Sequence, residues 1–287
     1  MHAYVISLVR SADRRAHMVS QLARTQLQYT IVDAVDGRDL DTTDRELFDP
    51  SADSTFSPGI FGCVLSHLKV YRKILEDDLD VALVLEDDIV LPADLAALAD
   101  AIAPQLTGAE VVLLNYHSQG ACRITEAGKV ALPSARRLMQ VADMGSPFSG
   151  GAYLITRQAC ARMAGFVLPV RSRADYWERF YRSGAIDRVR CVLPMPVDNS
   201  VVLRTTKDNF RPGSAQARLL EIVAAIRIPV VYQLLALRRR RHLRRYSRSG
   251  ITELVIQMPD GSAPPLMWRS GSPGTDEAEG NAYARGH

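Results

Sequence analysis

The apolar positions of this chain fall into short, nearly continuous runs, and helix-spaced stretches separate them. The runs at Tyr4–Val9, Tyr29–Val32, Val81–Leu85, Val111–Asn115, Gly151–Ile155 and Val189–Leu193 read as buried strands. Between them, Asp13 to about Gln26 places Met18, Leu22 and Leu27 on one helical side. Gly59–Leu75 does the same with Leu65, Leu68, Tyr71 or Arg72, and Leu75. Pro92 and Asp94 open a helix that runs to about Ile102 and stops at Pro104. Further helices are expected from Arg157 and from Asp175. Residues 41–58 read as a loop with a short helix. Residues 117–142 contain no long helix and suggest an excursion over a site. The small residues of GSPFSGG, 145–151, make a turn. Strands alternating with helices indicate an α/β fold whose sheet is mostly parallel.

The stretch that organises this pattern is VALVLEDDIVL, 81–91. Glu86, Asp87 and Asp88 interrupt an otherwise apolar run. Three carboxylates cannot share a core without partners, because burying unpaired charge is costly. They therefore mark the point where the strand reaches its carboxyl edge, where open α/β sheets bind ligands. Adjacent acids there suit a divalent cation, which takes hard oxygen ligands. The competing reading is a solvated acidic turn, as expected of Glu76-Asp77-Asp78.

Composition narrows the class. The chain has 287 residues, 47% apolar and 23% charged, as in a soluble globular protein. Cys63, Cys122, Cys160 and Cys191 are widely spaced and form no CxxC pair, so reduced thiols are expected. The apolar run of MHAYVISLVRSADRR is too short for a signal peptide, and no window spans a membrane, which gives a cytoplasmic expectation. The net charge of +3 is unevenly spread. Residues 1–200 carry 21 Lys or Arg against 25 Asp or Glu, and residues 201–287 carry 14 against 7. An acidic body argues against a nucleic-acid-binding domain. Arg10, Arg14 and Arg15 near a helix start suit a phosphate, or are simply surface charges. Neither GxGxxG nor GxxxxGK occurs. His67, alone on its helix, reads as a packing residue.

In order along the chain, YVISLVRSADRR (4–15), DAVDG (33–37), GCVLSHLKVYRKIL (62–75), LVLEDDI (83–89), GGAYLITRQAC (150–160) and RADYW (173–177) resemble glycosyltransferase family 25. That family includes bacterial lipooligosaccharide galactosyltransferases. The resemblance covers about residues 3–205. It implies a GT-A type, Rossmann-like sheet flanked by helices over residues 1–216. It also implies transfer of a sugar, commonly galactose, from a UDP-sugar, with manganese or magnesium at the acidic motif. Asp88, Asp87 and Asp175 are the implied metal ligands. Ser7, Arg10, Arg14, Asp36 and Asp87 are the implied donor-binding residues. Inversion would require a carboxylate base, for which Asp143 and Asp175 are the candidates. A metal-dependent phosphoester or glycoside hydrolase and a noncatalytic nucleotide-sugar-binding module are the alternatives.

Beyond residue 216 the pattern changes. Residues 218–248 hold nine arginines and one acid, Glu221. The apolar stretch Ile222–Leu237 is interrupted by Arg227, Pro229 and Gln233, and RRRRHLRR follows at 238–245. This is the pattern of a basic amphipathic extension, 217–250, that lies on an anionic membrane surface through 222–248 or else packs 222–237 on the catalytic domain with its arginines solvated. Residues 251–287 are expected to be a flexible tail.

Overall fold

The computed structural model of the chain describes residues 1–49, 56–116, 121–144, 147–199 and 251–255. The strands are β1 (His2–Ser7), β2 (Gln28–Asp33), β3 (Val81–Glu86), β4 (Ile89–Val90), β5 (Glu110–Leu113), β6 (Ala121–Ala131), β7 (Arg137–Val141), β8 (Ala152–Thr156), β9 (Arg188–Leu193), β10 (Asp198–Asn199) and β11 (Ile251–Val255). The helices are α1 (Ala12–Leu22), α2 (Thr42–Glu46), α3 (Pro58–Glu76), α4 (Leu95–Ile102), α5 (Arg157–Val167) and α6 (Trp177–Arg182).

Among the described residues one sheet has the order β11-β6-β7-β9-β5-β8-β3-β1-β2. β2, β1, β3, β5 and β9 point the same way, and β8 runs against its neighbours β3 and β5. The expected α/β architecture, dominated by one strand direction, is present. The apolar runs are continuous because both sheet faces are covered. Tyr4, Ala82, Val84, Val111 and Tyr153 pack towards α3, α5 and α6. Their alternates Ala3, Val5, Leu83, Leu85 and Leu154 pack towards α1 and α4.

Two expectations are corrected. Residues 121–141 are two strands of the main sheet. Arg123, Thr125, Glu126 and Lys129 interrupt the apolar pattern of β6, and the β6–β7 register shifts between Thr125 and Val130 beside Gly128, whose φ is 68°. Ile251–Val255 is a strand that pairs antiparallel with β6, not part of a tail, because it completes the open edge of that ribbon. The remainder of the expected tail, the 217–250 extension and its 222–248 segment lie outside the described residues.

β1 is flanked by β2 on one side and β3 on the other. The chain thus leaves β1 in one direction through α1 and returns past it to enter β3. Such a reversal opens a crevice at the carboxyl ends of β1 and β3. The acidic motif lies at that edge.

Candidate functional site

Three elements build the crevice. β1 ends at Ser7, and α1 begins five residues later at Ala12, so Arg14 sits in the first turn of the helix. β3 ends at Glu86, whose backbone N–H donates to the Gly151 carbonyl over 2.8 Å. The turn Asp87–Asp88 then leads into β4, which pairs with β10. Gln21 of α1 pins this turn. Its amide nitrogen donates to the Ile89 carbonyl over 2.9 Å, and its oxygen accepts from Leu91 N–H over 2.7 Å. One buried side chain thus does for the acidic turn what a neighbouring strand would do.

The motif residues separate by direction, Glu86 at the end of β3 from Asp87 and Asp88 in the turn that follows it. Asp87 and Asp88 face α1, and both are buried. The Arg14 guanidinium bridges them, contacting Asp87 Oδ1 and lying 3.0 Å from Asp88 Oδ2. Burial raises the Asp87 carboxyl above its ordinary range, against the opposing pull of Ser7 and Arg14. Asp87 Oδ2, Ser7 Oγ and Arg14 Nε are each buried and make no hydrogen bond of good geometry, although the Ser7 hydroxyl lies close enough to Asp87 to favour its charged form. Unsatisfied donors and acceptors of this kind are expensive within a fold and are satisfied by a ligand or ion. Two hard carboxylate donors with one unpartnered oxygen fit a divalent cation of the magnesium or manganese type.

Arg10 and Asp36 meet 2.5 Å apart, and Arg38 also contacts Asp36 at 3.0 Å. These hydrogen bonds hold the Asp36 carboxyl well below the usual range. Arg15 pairs with Asp33 at 2.7 Å. Arg10, just before α1, and Arg14 and Arg15 within it therefore each meet a carboxylate. Asp143 follows β7, 3.7 Å from Arg123. Asp175 precedes α6 and accepts from the Trp177 N–H through its carbonyl. Its carboxylate lies near enough to Tyr71 to raise that phenol, although burial is the larger cause. The structure thus gathers Ser7, Arg14, Asp87 and Asp88, and sets Arg10 and Asp36 beside one another. Asp143 and Asp175 have their described partners on other elements.

Glu86 points the opposite way, to α3. His67 Nε2 stands 3.4 Å from Glu86 Oε1, and His67 Nδ1 is 2.8 Å from Tyr153 Oη. His67 is thus more than a packing residue: it meets the acidic motif from behind. Its tertiary partners, 19 and 86 residues away, carry no local sequence signal. A further polar network lies just past the end of β5. Buried Asn115 donates to the Val197 carbonyl at 2.9 Å and accepts from Ser149 Oγ at 2.7 Å. Trp177 Nε1 donates to the Ser149 carbonyl at 3.2 Å.

The sequence model of Glycosyltransferase family 25 (LPS biosynthesis protein) matches residues 1–175. Procollagen galactosyltransferase 2 of Mus musculus is 33% identical over 95 residues, covering 30% of this chain and 15% of that protein. The inactive glycosyltransferase 25 family member 3 of Homo sapiens is 36% identical over 95 residues, covering 30% of this chain and 16% of that protein. The matches therefore span about a sixth of the length of these relatives. Among solved structures, an active-site mutant of LgtC aligns over 78% of this chain and 96% of its own. It is 10% identical, with a TM-score of 0.35, too low for the likeness to carry an argument.

Proposed function

The chain belongs to glycosyltransferase family 25, and from that premise we propose that it transfers galactose from a UDP-sugar to a saccharide acceptor. The acceptor we propose is part of a lipopolysaccharide, a lipooligosaccharide or a related glycan. The observation that carries this reading is the buried Ser7–Arg14–Asp87–Asp88 cluster at the crevice between β1 and β3. The buried Asp87 Oδ2 beside Asp88 supports a cation held by these two carboxylates, with Asp175 as the further candidate ligand. When bound, manganese or magnesium supplies Lewis-acid neutralisation of the leaving diphosphate.

The chain's own residues do the rest. Arg14 supplies the positive charge that lets two buried carboxylates stand side by side. Its planar guanidinium also suits bidentate contact with a diphosphate. Ser7 Oγ and Asp36 offer polar contacts for the donor nucleoside, and Arg10 orients Asp36. Asp143 or Asp175 takes the proton of the acceptor hydroxyl in an inverting transfer. The basic segment at 222–248 holds the protein to anionic lipid, where such an acceptor resides.

A second reading, a noncatalytic member of the family, is supported by the relatives named inactive. Turnover separates the two. UDP release from UDP-galactose should need manganese and rise with a saccharide acceptor. It should fall at least about 100-fold in Asp88→Ala, the scale of losing a key electrostatic group. Donor binding without turnover on any acceptor would favour the noncatalytic reading. Acceptor-independent release of sugar would favour a hydrolase.

A further inference from the structure

We propose that Cys63, His67 and Glu86 form a second metal site, built for zinc or a similar borderline-soft transition ion and distinct from the hard-oxygen pair Asp87–Asp88. Cys63 and His67 lie four residues apart on α3, so both side chains face the end of β3. The Sγ of Cys63, a ring nitrogen of His67 and a carboxylate oxygen of Glu86 all lie within 4.8 Å of one another.

The spacing and the support of the ring suit an ion held between the three side chains. A charge-assisted hydrogen bond between histidine and carboxylate closes to about 2.7–2.9 Å. The separation of His67 Nε2 and Glu86 Oε1 is 3.4 Å. Two ligand atoms bonded tetrahedrally at about 2.0–2.1 Å stand roughly 3.3 Å apart. His67 Nδ1 lies 2.8 Å from Tyr153 Oη, whose hydroxyl also reaches Tyr71 Oη over 3.2 Å. With the ring proton on Nδ1, the tautomer that a metal-bound His67 would adopt, the Nε2 lone pair would face the ion beside Glu86 Oε1. Holding the distal ring nitrogen by a hydrogen bond is also how metal-binding histidines are oriented.

The surroundings fit. His67 is 2% exposed, so its ring is fixed, whereas Cys63 is exposed and gives an ion a way in. A Cβ at position 150 would stand 3.2 Å from His67 Nε2, so glycine keeps that side of the ring clear. Cys122, Cys160 and Cys191 are buried. Thiolate, imidazole and carboxylate together select zinc over magnesium or manganese. Three protein ligands leave a fourth position for water. An ion there would tie α3 to the acidic turn from the face opposite Arg14. This site does not depend on the donor chemistry proposed above.

Cobalt substitution in the full-length protein tests the proposal. One equivalent of Co2+ should give intense tetrahedral visible bands and a near-ultraviolet thiolate-to-cobalt band, both bleached by one equivalent of Zn2+. Asp88→Asn should keep both features. Cys63→Ser, at an exposed position, should lose the thiolate band. Competition with a chromophoric chelator should show zinc affinity reduced more than about 100-fold in Cys63→Ser. Tyr153→Phe should weaken it by about 10- to 100-fold, the range for an orienting partner. No thiolate band in the native protein, or a band or zinc affinity unchanged in Cys63→Ser, would overturn the proposal. So would zinc binding lost in Asp88→Asn. Manganese-dependent UDP binding, measured separately, distinguishes failure of this site from failure of the donor site.

Discussion

Arg14→Ala separates the structural and ligand-binding sides of the acidic cluster. In the native fold one guanidinium neutralises Asp87 and Asp88, and the three side chains are 13%, 6% and 11% exposed. Removing one partner of a buried charge group typically costs about 3–5 kcal/mol, because the other charges stay behind uncompensated. The residual exposure puts the expected loss near the lower end, about 3 kcal/mol. A bound cation should restore much of it: at one hundred times its dissociation constant, a ligand specific for the native state stabilises by about 2.7 kcal/mol. Manganese should also bind more tightly to the variant, because no guanidinium competes for the carboxylates. Urea unfolding at pH 7, in chelator and in manganese, reads both effects. A loss under about 1 kcal/mol in chelator, the scale of an exposed ion pair, would refute the buried-charge argument. A loss that manganese does not relieve would refute the claim that these acids take a cation.

Other expectations rest on other parts of the fold. The Asp87 carboxyl is raised above its ordinary 3.8, so its protonation favours the native state. That contribution is complete below pH 3.8 and fades as pH rises through the raised value. The stability of Asp87→Asn relative to native, from urea midpoints in chelator, should therefore improve as pH rises from about 4 to 7. A difference independent of pH would show that Asp87 is not desolvated. Glu110 is fully buried between Arg188 and Arg190, so Glu110→Ala should cost about 3–5 kcal/mol in urea unfolding. Gly62→Ala would put a Cβ 2.5 Å from the Val35 carbonyl oxygen, whereas Gly59→Ala meets nothing closer than 3.8 Å. Thermal melts should show the first destabilised by at least about 1–3 kcal/mol and the second within about 1 kcal/mol of native. If the basic segment meets a membrane, replacing the six arginines of 238–245 with glutamine should abolish sedimentation with anionic liposomes. Truncation at residue 216 is the poorer test, because it also removes β11 from the sheet.

The sheet and its helices were legible wherever burial is two-sided. VALVL and YVISL can be little else than central strands, and Leu65, Leu68 and Tyr71 mark the inner face of α3. The carboxylates at the end of β3 were legible for the same reason, since charge breaking an apolar run marks a sheet edge. The β6–β7 ribbon was not, because its polar residues and bulge disrupt the alternation on which a strand reading depends. β11 joins that ribbon from more than 100 residues away, and no local pattern announces such a pairing. The role of Arg14 was half legible. Its place on a helix start suggested a phosphate, but its contact with Asp87 and Asp88 depends on how α1 packs over β3. Cys63 and His67 did carry a signal, the four-residue spacing on one helix face, and it gains meaning only once Glu86 is brought beside them.

The central claim is that Asp87 and Asp88 form a cation-dependent site for a uridine nucleotide. Calorimetry of the full-length protein with uridine diphosphate measures it most directly, in manganese and in chelator, for the native chain and Asp88→Ala. Binding by the native protein should require manganese and be lost in Asp88→Ala, while the variant keeps the native circular-dichroism spectrum. Equal affinity in manganese and chelator, or undiminished affinity in a folded Asp88→Ala, would contradict the account.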